Sequence, residues 1–222
     1  MYILAFDTTA SACSIALYKD DVVIDTFNQL MSYGQSEVLL PEIQKILSKN
    51  NLTFADIQVL FVCVGPGSFT GVRSSVSAAR TFKLACPDLD LGGVSSFEAY
   101  IQDFKPEEVS EINAVVIETK RDDFYVQLFD ANLQKITSPQ ALVRDDIISL
   151  LKGKKISMIG DGVERFLSVS TGLLLHSIKM PTNLDINLMV KAGLKRYQEK
   201  RLDYPKPLYL RAPDVCLPKS DR

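Results

Sequence analysis

Two short stretches hold the side chains and backbone with the most chemical scope. Asp7-Thr8-Thr9 closes an apolar run, and Gly65-Pro66-Gly67-Ser68-Phe69-Thr70-Gly71-Val72-Arg73 follows another. A carboxylate with neighbouring hydroxyls at a strand end suits a phosphate or Mg²⁺, with Asp7, Thr8 and Thr9 as the contacts. The same residues suit an ordinary Asx turn that satisfies only its own backbone. In the second stretch, three glycines and a proline within seven residues force a sharp turn. Set between a strand and a helix, such a turn gathers N–H groups, here around Gly65 and Gly67, where an anion or another backbone can sit. Close packing alone asks for the same glycines. The turn is not a P-loop, because no Gly-Lys-Ser/Thr closes it, and its glycine spacing is not that of a dinucleotide fingerprint.

Other chemistry is thinly supplied. The single histidine, His176, lies in the apolar stretch Leu173–Ile178 and reads as a packed or edge residue, since a metal site needs several ligands. Ser68 is not in a Gly-x-Ser-x-Gly elbow, and only His176 is available as an imidazole base. The four cysteines, Cys13, Cys63, Cys86 and Cys216, form no Cys-x-x-Cys pair and read as free thiols in a reducing compartment. A net charge of −2 sets up no general field for nucleic acid or membrane. The segment Lys191–Arg211 is locally basic and reads as a solvated helix face, with an RNA backbone as the competing reading. No leader precedes the first apolar run and no run approaches a membrane span of about 20 residues, so a cytoplasmic protein is expected.

The elements that must position these residues follow from hydrophobic period. Ile3–Phe6, Ser14–Tyr18 and Val22–Phe27 read as strands joined by short turns. Ser36–Ser48 carries Leu39, Leu40, Ile43, Ile46 and Leu47 at helical spacing, with Pro41 near its start. Ile57–Val64 is a buried strand, Val72–Cys86 a helix and Leu91–Val94 a strand, and Ser95-Ser96-Phe97-Glu98 signals a helix start. The second half adds a helix at Asp145–Leu151, a strand at Ile156–Ile159 ending in Gly160-Asp161-Gly162, and helices at Val163–Ser168 and Ile186–Lys200. An extended tail is expected at Pro205–Pro218.

Two patterns go beyond single elements. Ala114–Thr119 can be laid on Ile3–Thr8 without gaps, placing Glu118 on Asp7 and Phe124–Phe129 on Cys13–Tyr18, so two lobes of similar plan are expected. They are residues 1–101 and 111–222, joined by 102–110, with the tail packing back. The order of strands and helices gives an α/β, mixed α+β architecture. The helix Val72–Cys86 also has a small, uncharged stripe, Ser74, Ser77, Ala78, Thr81 and Ala85, opposite its apolar face. Small residues there let another helix approach, either this chain's own Ser36–Ser48 or a partner's.

Four blocks together resemble the TsaB family. They are Ile3-Leu4-Ala5-Phe6-Asp7-Thr8, Ser36-Glu37-Val38-Leu39-Leu40-Pro41, the glycine turn Gly65–Arg73, and Gly93-Val94-Ser95-Ser96-Phe97-Glu98-Ala99. The likeness is strong over residues 1–100 and weak beyond, apart from Pro207-Leu208-Tyr209-Leu210-Arg211. It implies a two-lobe actin-like (ASKHA) fold and a non-catalytic subunit in the threonylcarbamoyladenosine modification of tRNA. The implied partners are the catalytic paralogue TsaD and the ATPase TsaE, with a self-dimer in isolation and tRNA met through the complex. ATP and metal would belong to the partner subunits, leaving at most a vestigial nucleotide contact at Asp7, Thr8, Thr9, Gly65 and Gly67. Partner contacts are implied on the N-lobe helices, here Glu37, Leu40, Arg73, Ser74, Ser77, Ala78 and Thr81. Gln35 departs from the histidine common in the family. The competing reading is an actin-like small-molecule kinase or acyltransferase built on Asp7 and the glycine turn.

Overall fold

A computed structural model describes residues 1–31, 33–168, 170 and 172–211. The chain opens with a meander, β1 (Tyr2–Asp7), β2 (Ala12–Lys19) and β3 (Val22–Leu30), followed by helix α1 (Gln35–Lys49). Then come β4 (Val59–Cys63), α2 (Phe69–Ala85), β5 (Asp90–Val94) and the short α3 (Ser96–Tyr100). The plan restarts with β6 (Ile112–Glu118), β7 (Asp123–Phe129), β8 (Gln140–Val143), α4 (Arg144–Leu151), β9 (Lys155–Ile159), α5 (Val163–Ser168) and β10 (Leu174–Lys179). Helix α6 (Ile186–Gln198) ends the regular structure. Strands β8 and β10 have no counterpart in the sequence reading. The tail over residues 205–210 is neither helix nor strand, and Cys216 with the rest of the expected extended stretch lies outside the described residues.

The first sheet has the order β3-β2-β1-β4-β5 and the second β10-β9-β6-β7-β8. Read from the other edge, the second sheet repeats the first strand for strand. In each, an antiparallel meander is joined to parallel strands through its first member. Three apolar layers result. Leu4, Phe6, Ile15 and Leu17 face α1 and α2 through Leu39, Ile43 and Ala79. Ala114, Val116, Phe124, Val126 and Leu128 face α4 and α5 through Ile147, Leu151, Val163 and Phe166. Between the sheets a shared layer joins Ile3, Ala5 and Phe61 of one to Val115, Ile117 and Ile159 of the other, with α3 and α6 between them.

The layers fix the register of the duplication. Leu4 pairs with Leu17 and Phe6 with Ile15 on the outer face of the first sheet. Ala114 pairs with Leu128 and Val116 with Val126 on the outer face of the second. The expected match of Phe124–Phe129 to Cys13–Tyr18 therefore holds, whereas β6 is displaced by one residue from the gapless match. Glu118 stands where Thr8 stands, and Ile117 answers to Asp7. The physical cause is one extra residue in the second turn, which a two-residue pleat turns into a change of face.

Helix α6 follows the second sheet in sequence but packs on the first, against β1, β2, β4 and β5. Gly193 permits this: a Cβ there would lie 2.7 Å from the Phe61 ring.

A cleft between the lobes

The hairpin β1–β2 and the glycine turn meet at the floor of a cleft of about 800 Å³ between the two lobes. Ser68 caps α2, its Oγ accepting from the Gly71 N–H at 3.3 Å, so the helix starts at Phe69, one turn ahead of the expected Val72. The cap brings the first turn of α2 directly onto the hairpin. The Ser68 N–H donates to the Thr9 carbonyl at 2.7 Å, and the Thr8 hydroxyl donates to the Gly71 carbonyl at 2.8 Å. The Thr8 N–H donates to Ser75 Oγ at 3.1 Å, and the Thr9 N–H to Asp7 Oδ1 at 2.7 Å. A Cβ on Gly67 would lie 2.3 Å from the Thr9 carbonyl oxygen, and one on Gly71 would lie 2.0 Å from that of Thr8. These glycines are there because two backbones touch. Gly65 has φ +95° and its carbonyl accepts from the Ser96 N–H at 2.8 Å.

This arrangement bears on the nucleotide contact expected at Asp7–Thr9 and the glycine turn. A phosphate needs free N–H donors. Those of Thr8, Thr9, Ser68 and Gly71 are already engaged within the chain. Of the residues expected as nucleotide contacts, Asp7, Thr9 and Gly67 line the cleft, while Thr8 is buried against α2.

Asp7 is buried in this floor. Burial pushes its carboxyl above the ordinary value, against hydrogen bonds from Thr9 and a contact with Cys63. Cys63 Sγ lies 3.4 Å from both Thr9 Oγ1 and Ser96 Oγ, and burial, with the Asp7 charge second, lifts its thiol to about 12. Across the cleft, Asp161 is lifted to about 6, again chiefly by burial. Its Oδ1 accepts from the Glu118 N–H at 3.0 Å. The Tyr100 hydroxyl, raised well above its usual value by burial and then by Asp161, Asp7 and Cys63, belongs to the same group.

Sequence reasoning missed Asp161. The available signal was Gly160-Asp161-Gly162 after a parallel strand, the position the glycine turn holds after β4. Glu118, matched to Asp7 by sequence, instead faces α5, its carboxylate taking Arg165 Nε at 2.6 Å and Nη2 at 2.8 Å. That pair holds Glu118 below its ordinary value against the cost of burial. Among the described residues no group of three or more His, Cys, Asp and Glu could hold a metal. His176 sits exposed on β10 with Nε2 3.0 Å from the Glu107 carbonyl.

The residues expected at a partner interface divide by exposure. Glu37, Leu40, Arg73, Ser77 and Thr81 are exposed, while Ser74 and Ala78 are half-buried. Ala78 packs on the layer beneath α1, so part of the stripe meets this chain's own helix. Leu84 on α2 is 80% exposed, and Leu40 on α1 is 51% exposed. Part of the basic segment is engaged, while Lys195, Lys200 and Lys206 are exposed. Arg196 bonds the Gly93 carbonyl at 2.9 Å and pairs with Glu98 and Asp203, Arg201 pairs with Glu199, and Arg211 pairs with Asp123. No described helix is long and apolar enough to cross a membrane.

Two duplicated α/β lobes enclosing a cleft define the actin-like class. A protein of actin-like ATPase fold from Bacteroides thetaiotaomicron superposes with a TM-score of 0.53 at 10% identity, covering 87% of this chain and 95% of its own. YeaZ from Pseudomonas aeruginosa gives a TM-score of 0.78 at 18% identity, covering 94% and 99%. The profile described as "TsaD: tRNA N6-adenosine threonylcarbamoyltransferase" matches residues 29–172. The tRNA threonylcarbamoyladenosine biosynthesis protein TsaB of Buchnera aphidicola subsp. Baizongia pistaciae is 26% identical over 220 residues, 94% of this chain and 97% of its own. The chain belongs to this TsaD-related family, and within it to the TsaB proteins.

Proposed function

We propose that the chain is a non-catalytic scaffold subunit in the synthesis of threonylcarbamoyladenosine on tRNA, at the adenosine next to the anticodon. One observation carries the reading: the N–H donors at residues 8, 9, 68 and 71 are all engaged within the chain, two of them, at residues 8 and 68, across the contact between the hairpin and α2. Chemistry that needs a nucleotide's phosphates then falls to partners. These are the catalytic relative TsaD and the ATPase TsaE, which carry the ATP and metal, with tRNA met through the complex in the cytoplasm. Family membership supports the reaction. The exposure of Leu40, Ser77, Thr81 and Leu84 supports α1 and α2 as the face that meets TsaD, and a second copy of this chain in its absence.

Reconstitution tests the proposal. The purified chain with tRNA, ATP, threonine and bicarbonate should form no product; adding TsaD and TsaE should yield it, and omitting this chain should abolish it. Modification by this chain alone would overturn the reading. For the interface, Thr81→Arg should leave the melt within about 0.5 kcal/mol of the parent, as exposed substitutions do. It should weaken TsaD capture by about 2 kcal/mol or more, as central interface changes do. The kinase or acyltransferase alternative requires Asp7 to meet a nucleotide, so tight ATP binding lost in Asp7→Ala would restore it.

A further inference from the structure

After α6 the chain crosses from the first sheet to the second lobe along the cleft, and its fit is specific. Pro205 and Pro207 hold the backbone extended. The Gly93 N–H donates to the Asp203 carbonyl at 2.9 Å, and the Leu208 N–H donates to the Val64 carbonyl at 2.8 Å. Arg80 clamps the Pro205 carbonyl with Nε at 3.1 Å and Nη2 at 2.7 Å. A Cβ on Gly93 would lie 3.0 Å from Pro205 Cα, which accounts for a glycine inside β5. Leu208 joins the small cluster Val64, Val72 and Val76, and the Tyr209 ring lies 5.4 Å from that of Phe69. Arg73 Nε donates to the Tyr209 hydroxyl at 3.2 Å. All of these anchors belong to the first lobe.

The last step is different. Arg211 pairs with Asp123 at the start of β7, and its guanidinium lies 5.6 Å from the centre of the Tyr125 ring, both in the second lobe. Residues 208–211 line the cleft, so the segment has one end fixed to one wall and the other end tied to the opposite wall. Away from this cleft, Glu98 pairs with Lys135 across the lobes, and Lys179 ties the second lobe to Asp103 and Glu108 of the connection. On the cleft side, Lys120 Nζ reaches Ser11 Oγ at 3.5 Å.

We infer that residues 203–211 form a strap across the cleft, with the Arg211–Asp123 pair as the catch that sets its width. The strap stays on the first lobe while the catch opens and closes. The far-side pairs act as the hinge.

Native-state hydrogen exchange on the full chain, with Arg211→Ala and Arg211→Lys beside the parent, tests this. In Arg211→Ala the amides of Glu118 and Gly162, on the second-lobe wall, should exchange at least tenfold faster, with the melting temperature unchanged. The amides of Gly93 and Leu208 should keep their protection, and Arg211→Lys, which retains the charge, should fall near the parent. Equal exchange in parent and Arg211→Ala would overturn the catch. So would a loss of protection at Gly93 and Leu208 together with the second-lobe amides, or a uniform rise accompanied by a lower melt, since Arg211 would then be a general brace. Asp123→Asn, which removes the charge from the other side, should reproduce the Arg211→Ala pattern; a parent-like pattern there would also overturn it.

Discussion

Gly71→Ala separates the two uses of the glycine turn, because its sign depends on which one is correct. Gly71 lies in the first turn of α2, and in a helix alanine is better than glycine by about 1 kcal/mol. If α2 met only solvent or a loosely held anion there, the change would stabilise the chain by that amount. In this fold the new Cβ would lie 2.0 Å from the Thr8 carbonyl oxygen, 2.9 Å from the Thr8 carbonyl carbon and 3.2 Å from Thr9 Cα. All three are backbone atoms of a buried hairpin, which cannot swing aside as a flexible side-chain end would. Helix and hairpin must part by more than an ångström to relieve the clash, since contacts settle at roughly 3.5 Å.

Three hydrogen bonds span that gap. Thr8 N–H reaches Ser75 Oγ at 3.1 Å, Thr8 Oγ1 reaches the Gly71 carbonyl at 2.8 Å, and Thr8 Oγ1 and Ser75 Oγ are 2.7 Å apart. Their loss costs about 1 kcal/mol each. Overpacking adds about 1–3 kcal/mol. With the propensity gain subtracted, a net loss of about 3–5 kcal/mol is expected, a large share of the roughly 5–15 kcal/mol that a domain holds. Urea unfolding followed by circular dichroism reads it, with Ser77→Ala on the exposed side of the same helix as the control. A Gly71→Ala midpoint equal to or above the parent's would refute the close-contact reasoning and return the turn to ligand binding.

Two further outcomes follow from the same floor. Asp161 is raised to about 6 from 3.8, so its burial is fully tolerated below pH 4 and costs stability as the pH rises through 6, on the order of 3 kcal/mol in all. The parent-minus-variant stability for Asp161→Asn should therefore fall across that window and stay flat above it; a difference that is flat throughout would refute the assignment. Thr8→Val should cost about 1–3 kcal/mol by leaving the Gly71 carbonyl without its hydroxyl donor, measured by the same urea titration, and a neutral result would remove the Thr8 bridge from the account.

Strands and helices with a strong period were legible in sequence. β1, β2, β4, α1 and α2 stand close to their expected places because alternation or helical spacing marks a buried face. β8 has only four residues, and β10 is an edge strand with Leu174, Leu175 and Ile178 exposed, so neither shows alternation. The displacement of Glu118 was invisible because apolar residues occupy both faces of β6, which is buried on both sides. The start of α2 was missed by three residues because Ser68 was weighed as a nucleophile and not as a cap. The packing of α6 on the first sheet depends on Gly193 meeting Phe61 from a distant part of the chain, which no local pattern reports.

The duplication also explains why the position after the inward-facing strand end is filled differently in the two lobes. In both lobes the residue after the inward-facing strand end bonds to the outer helix: Thr8 to Ser75 on α2, and Glu118 to Arg165 on α5. The first bond is neutral and buried, and it lets a helix of 17 residues lie flat on the hairpin. The second is an ion pair at partial exposure, on a helix of six residues. A flat, long α2 carries Thr81 and Leu84 out to solvent beyond the hairpin, where they are free to meet another chain. The short α5 offers no such surface. The contact that engages the Thr8 and Ser68 amides is thus the same contact that holds α2 with Thr81 and Leu84 outward. Under the proposed scaffold role, a partner face on the first lobe and the engaged amides beneath it are two consequences of one packing arrangement.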